Sequence, residues 1–340
     1  MPADSPTPAI TPTVADTPTL TAAQTFTVTP TASPTPSLQV TLAAVGDIML
    51  GRTVGEKALA QGTGIVFAGV QSILDEADVR VGNLECALTD RTDSEQKQYA
   101  LQAPPELAEA LALGKFDLVS LANNHAMDFG YAGLTDSQTY LNQVGVATVG
   151  AGENQATARA PFLLERNGLR MAFLAYADVP QELNGFDAHD WVATDSQPGI
   201  AWADPEQIEA DVRAAKSRAD VVIVFLHSGY ENTAMVTPEQ RTAAHTAIDA
   251  GAALVLGSHS HLLQPIESYH DGLIAYSLGN FVFDNYLGIS NATIILRVVL
   301  TRQGVQSYDY VPVLIENGLP VLTSIESVQG IQTLVAPIEP

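Results

Sequence analysis

Five apolar runs in this chain each end on Asp, Glu, Asn or His. "LQVTLAAVGDIMLG" carries Asp47, "ADVRVGNLE" carries Asn83 and Glu85, and "FDLVSLANNHAMDFG" carries Asn123, Asn124 and His125. "ADVVIVFLHSGYE" carries His227 and Glu231, and "GAALVLGSHSH" carries His259 and His261. Runs of Val, Ile, Leu and Ala without polar alternation predict strands buried on both faces, as in parallel sheets covered by helices. Helical stretches lie between them: "PPELAEALAL", "GLTDSQTYLNQV", "PEQIEADVRAAKSRA" and "TPEQRTAAHTAIDA". That alternation makes the fold class α/β. In open α/β sheets ligands bind at the carboxyl edge of the strands, and core packing has no use for unpaired polar groups there. Gly46, Gly82, Gly229 and Gly257 stand beside these strand ends, where they would let backbone approach a shared centre.

The later part of the chain reads differently. A hairpin is expected around Asp271-Gly272, an Asp-Gly turn signal, and a second one turning at Gln303-Gly304. Antiparallel strands are therefore added to the α/β core, giving mixed sheets packed face to face under helices. Residues 1–38 are of another kind: about half are Thr or Pro, and no Lys or Arg occurs before Arg52. Such a stretch cannot bury enough apolar surface to offset the entropy of ordering, so it is expected to be a disordered tether. The expected layout is this tether, one domain over 39–320, and a C-terminal extension over 321–340 that packs on the domain or trails from it.

Composition removes some functions. With 15 Lys and Arg against 38 Asp and Glu, the chain carries a formal charge of −23, which opposes binding to nucleic acid phosphates. No apolar run reaches the roughly 18 residues a transmembrane helix needs. The single cysteine, Cys86, cannot form an internal disulfide and reads as a small buried hydrophobe. Thr/Pro tracts resemble O-glycosylated stalks, so an extracellular or cell-surface location is expected. No secretory signal pattern precedes the tract, which leaves a cytoplasmic location as the alternative.

The donors Asp47, Asn83, Glu85, Asn124, His125, His227, His259 and His261 combine imidazole, carboxylate and amide oxygen. That set suits one or two divalent ions such as Mn, Zn, Fe or Mg, and the lack of Cys ligands argues against a closed structural zinc site. If the strand continues through "GSHSH", His259 and His261 point to the same side and converge. Asn280, in "SLGNF", is expected to cap a loop or orient a ligand. Glu231 is expected either to steady a ligating histidine or to be solvated.

The ordered series Gly-Asp, Gly-Asn-Leu-Glu, Asn-Asn-His, His-x-Gly and Gly-x-His-x-His resembles the calcineurin-like metallophosphoesterase superfamily. More closely, "GDIMLGR", "NLECALT", "LANNHAMDFG", "HSGYE", "GSHSHLLQPIE" and "YSLGNFVFD" resemble the CapA-type poly-γ-glutamate capsule synthesis proteins, over roughly residues 40 to 320. The resemblance implies a metallo-dependent phosphatase-like fold, a four-layer α/β/β/α sandwich of two mixed sheets. It also implies that Asp47 and His261 hold one ion, that Asn124, His227 and His259 hold a second, and that Glu85 bridges them. His125 would give a proton to the leaving group. Two positions depart from the superfamily pattern: Met49 stands where a histidine ligand is usual, and Asn83 where the bridging Asp is usual.

Two functions follow as expectations. One is a cell-surface, metal-dependent hydrolase, phosphoesterase-like, acting through a dinuclear site. The other is a non-catalytic surface component that binds or exports capsule polymer. In both, the resemblance implies the capsule polymer or its biosynthetic membrane complex as partner. A cytoplasmic phosphoesterase fused to a linker is the remaining alternative, and the oligomeric state has no signature in the sequence.

Overall fold

The computed structural model describes residues 38–284 and 291–324. Except for residue 38, the expected tether lies outside the described residues, as does the expected extension beyond residue 324. Among the described residues, fourteen strands build two mixed sheets. In chain order they are β1 (Val40–Ile48), β2 (Val79–Leu84), β3 (Leu118–Ser120), β4 (Ala147–Val149), β5 (Phe162–Arg166), β6 (Leu169–Asp178) and β7 (Val221–Ser228). Then follow β8 (Leu254–Ser258), β9 (Ile266–Tyr269), β10 (Gly272–Ala275), β11 (Asn280–Val282), β12 (Ala292–Thr301), β13 (Gly304–Glu316) and β14 (Leu319–Leu322). The first sheet runs β14-β13-β12-β1-β2-β3-β4, and β11 also pairs with β1. The second runs β9-β10-β8-β7-β6-β5.

Side-chain alternation along the strands accounts for the layering. Leu42, Ala44 and Val81 of the first sheet share an apolar cluster with Phe173, Ile223 and Leu256 of the second, so these faces meet each other. The intervening residues point the other way. Ala43, Val45 and Val119 pack against Val54, Leu111 and Leu134, from helices α1 (Arg52–Gln61), α2 (Ala108–Leu113) and α3 (Gly130–Gln143). On the second sheet Leu174, Val222 and Val224 pack against Ile208, Val212 and Ala244, from α4 (Pro205–Lys216) and α5 (Pro238–Asp249). The result is helix, sheet, sheet, helix.

Local chemistry places the helices as the sequence suggests. Asp204 caps α4 by accepting from the Gln207 amide, with Pro205 in the first turn. Thr237 and Gln240 form a capping box at α5. The buried Gln240 side chain also donates to the Ser228 carbonyl at 2.9 Å, which ties α5 to the loop leaving β7.

The strand Leu319–Leu322 crosses residue 320 and pairs antiparallel with β13. The hairpins differ from expectation. Each hairpin loop lies one residue earlier than read: Tyr269 pairs with Gly272 around His270-Asp271, and Thr301 pairs with Gly304 around Arg302-Gln303. β6 and α1, which no sequence signal singled out, lie between β7 and the edge strand β5 of the second sheet and in the outer layer of the first, respectively.

Candidate metal centre

The two sheets are joined at the carboxyl edge by the segment 276–280, which passes between β1 and β8. A Cβ at Gly46 would lie 1.8 Å from the Gly279 carbonyl oxygen, and one at Gly257 would lie 1.9 Å from that of Tyr276. These two glycines thus admit a backbone strand, not a ligand. The Asp47 amide donates to the Gly279 carbonyl at 2.9 Å, and the Leu278 amide donates to the Gly257 carbonyl at 3.0 Å. Strand ends of both sheets consequently converge on one buried site.

One donor atom each from Glu85, His227 and His259 lie within 4.8 Å of one another, and so do those of Asp47, Glu85 and His261. Glu85 belongs to both groups. Asn124 joins the first: its Oδ1 accepts from His227 Nε2 at 2.9 Å. His259 Nδ1 lies 3.1 Å from the same His227 nitrogen. Asp47 is steadied from both sheets, since Oδ1 accepts from Asn83 Nδ2 at 2.8 Å and Oδ2 from the His259 amide at 3.2 Å. His261 Nδ1 donates to Asn280 Oδ1 at 2.8 Å, so Asn280 orients that ring. Ser258 Oγ sits 2.9 Å from His227 Nδ1.

The "HSH" histidines converge for a reason other than strand geometry. β8 ends at Ser258, and His259 and His261 adopt left-handed backbone with φ of 89° and 58°. Their rings lie 6.2 Å apart because the chain turns, not because it stays extended. Left-handed non-glycine residues are costly and cluster at functional sites.

Asn83 is hydrogen-bonded at both ends of its amide. Its Nδ2 faces Asp47, and its Oδ1 accepts from Asn123 Nδ2 at 3.1 Å. Glu85 is fully buried, yet neither of its carboxylate oxygens has a hydrogen-bond partner among the described residues. Met49 is turned to structural use, its sulfur accepting from the Gly51 amide at 3.1 Å. Glu231 lies on an exposed turn beyond β7.

Burial governs the protonation of the centre. It raises Glu85 well above the usual carboxylate range, and the neighbouring Asp47 and then Glu231 raise it further. Burial likewise raises Asp47, opposed by His261 and Asn83. His227 and His259 are driven well below the usual imidazole value, by burial first and then by the other histidines. Buried carboxylates crowded against neutral imidazoles, one carboxylate without a partner, are the donor set a divalent cation would satisfy. The residues present fit such an ion.

His125 stands beside this cluster. Its Nδ1 donates to Asp128 Oδ2 at 2.6 Å. Burial lowers its pKa and Asp128 opposes that, while Lys97 adds to the lowering. Lys97 ion-pairs with Asp128 Oδ1 at 2.8 Å. Sequence reasoning missed both partners: a carboxylate three residues after His125 was a usable signal, whereas Lys97 reaches the site from a polar loop with no local pattern.

A family model described as "Bacterial capsule synthesis protein PGA_cap" matches residues 41–285. The chain belongs to this bacterial capsule synthesis family. Among relatives, a capsule biosynthesis protein CapA of Bacillus anthracis is 34% identical over 290 residues, covering 83% of this chain and 69% of that protein. A PGA biosynthesis protein CapA of Bacillus subtilis (strain 168) is 33% identical, covering 81% and 72%. Solved structures share the fold. A hypothetical protein from Thermus thermophilus gives a TM-score of 0.52 at 16% identity, covering 80% of this chain and 98% of that one. A candidate 5'-nucleotidase from Staphylococcus aureus gives 0.50 at 15%, covering 87% and 57%. No helix among the described residues of this family member is long and apolar enough to cross a membrane.

Proposed function

We propose that this member of the capsule synthesis family is a cell-surface, metal-dependent hydrolase whose buried site takes two divalent cations. Asp47 and His261 would hold one, Asn124, His227 and His259 the other, and Glu85 would bridge. A bound pair supplies Lewis acidity and an ionised water for hydrolytic displacement. The chain's own contribution is orientation. Asn83 fixes Asp47, Asn280 fixes the His261 ring, and Ser258 faces the outer nitrogen of His227. His125, held at Nδ1 by Asp128, would give a proton to the leaving atom. The observation that carries this reading is Glu85, a buried carboxylate without a hydrogen-bond partner that is common to both donor groups.

Elemental analysis after Mn²⁺ loading should find two ions per chain; a metal-free protein would refute the reading. An aryl phosphodiester assay should show turnover that falls by about 10²–10⁴-fold in His125→Ala. A second reading, a non-catalytic surface component handling capsule polymer through the same metals, is favoured by Met49 being spent on Gly51. Stoichiometric metal with no turnover on any phosphoester or amide-linked polymer would decide for it.

A further inference from the structure

Lys97 brings to this centre a cation that the metal reading does not use. Its side chain is fully buried. The ammonium donates to the backbone carbonyl of Asn124 and to Asp128 Oδ1, and lies 3.4 Å from His125 Nδ1. It lies 3.6 Å from Glu182 Oε1, and the ring centroids of Phe186 and Trp191 are 4.8 Å and 5.2 Å away. A buried ammonium is retained only where hydrogen bonds, counter-charge and aromatic faces replace its water. Here all three are present, drawn from the loop after β6 and the turn after β3. The loop that delivers it is closed on the same residue: the Leu101 amide donates to Asp128 Oδ2 at 2.6 Å, and the Glu95 amide to the Asp128 carbonyl at 2.8 Å.

We propose that Lys97 is the positioning residue of the centre, gripping the Asn124 carbonyl and the Asp128 carboxylate at once. Through the first it sets where the Asn124 amide oxygen meets His227, and through the second it sets the His125 ring. It touches neither substrate nor ion. A cation bonded to both ends of the Asn124–Asp128 turn keeps the amide ligand and the imidazole in a constant relation. The Phe186 and Trp191 faces and Glu182 extend that relation to the loop after β6, which forms the outer side of the Lys97 site. The inference rests on the metal reading for Asn124 only; the His125 half is independent of any ion.

The test therefore has two arms on the full chain. In metal-free, ¹⁵N-histidine-labelled protein, the His125 ring N–H, identified by its loss in His125→Ala, should be a slowly exchanging signal. It should persist in Lys97→Arg and vanish in Lys97→Met. In calorimetric Mn²⁺ titrations, Lys97→Met should weaken one of two binding steps about 10–100-fold and leave the other within about threefold, as loss of a supporting contact does. Charge balance at Asp128 alone is separated by Lys97→Met/Asp128→Asn, which leaves no unpaired carboxylate at that position and guards against misfolding. It should still bind one ion about tenfold or more weakly than Asp128→Asn does. A double variant that binds like Asp128→Asn, or a Lys97→Met protein that keeps the ring signal, overturns the proposal. Wild-type protein taking up no Mn²⁺ would sink the metal reading, and the ring signal would still decide the role of Lys97.

Discussion

Glu85 and Glu267 are both buried glutamates packed beside histidine, and they are opposites. Glu267, on the edge strand β9, is 2% exposed and saturated: its Oε2 accepts from Tyr276 Oη at 2.5 Å, His245 Nε2 at 3.1 Å and Arg241 Nη1 at 3.2 Å. Burial would raise its pKa, but the Tyr276 hydroxyl, His245 and Arg241 together hold it below the usual value. Glu85 has no such partners and is raised. Glu267 has donors of its own within the protein, whereas no donor among the described residues reaches Glu85. Both acids are buried, so what separates them is compensation: a bound cation would relieve Glu85 and has nothing to relieve at Glu267.

The comparison breaks most visibly on metal binding. Glu85→Gln should weaken Mn²⁺ uptake by more than about 100-fold, while removal of the unpartnered acid leaves the metal-free protein as stable as wild type or more so. Glu267→Gln should leave Mn²⁺ uptake unchanged and cost about 1.5–3 kcal/mol, since it takes charge-assisted bonds from a buried site. Thermal melts with and without metal read both. At 100-fold excess over Kd, Mn²⁺ should stabilise wild type by about 2.7 kcal/mol per site. Glu85→Gln should gain almost none of this. Equal melting shifts in the two variants would remove the distinction.

The legible parts of the molecule were those whose position follows from strand polarity. Asp47, Glu85, Asn124 and His227 sit at or just after strand ends that are apolar on both faces, so sequence placed them on one edge. The meeting of His259 with His261 was anticipated, but its cause was misread, because a left-handed turn carries no period-2 pattern. β6 went unnoticed although it is as apolar as its neighbours, since its terminal Asp178 carries none of the ligand motifs. Lys97 was invisible for a deeper reason. Its partners lie 27 to 94 residues away, on turns whose shape depends on tertiary packing.

Acidity sharpens the contrast further. Glu85 has a folded pKa above the ordinary 4.5, so the folded metal-free chain holds a proton that the unfolded chain has lost. Its contribution to stability should therefore decline as pH rises from 4.5 toward the folded value. Mn²⁺ uptake in that window should release a proton, measurable by titration in buffers of different ionisation enthalpy. Glu267 has the reverse sign. Its contribution is present above 4.5 and is lost as pH falls through its lowered folded value. The stability deficit of Glu267→Gln should accordingly be largest near neutrality and shrink in acid. A deficit that is flat with pH would mean that the Glu267 carboxylate is not held ionised by its partners.

The smallest effect concerns how the saturated cluster divides its work. His245 lies flat on Tyr269, with ring centroids 3.7 Å apart and planes within 3°. Phenylalanine at this position keeps the stack and loses the bond from Nε2 to Glu267, with the longer 3.4 Å contact of Nε2 to Tyr276 Oη. Because Tyr276 and Arg241 still satisfy the carboxylate, His245→Phe should cost about 0.5–1.5 kcal/mol, the net worth of one hydrogen bond. Tyr276→Phe removes the shortest bond and should cost more. If the two cost the same, the three donors act as one cooperative network, and the double variant should then cost less than the sum of its parts. Either outcome leaves Mn²⁺ binding untouched, because Glu267 needs no cation beyond those the protein already supplies.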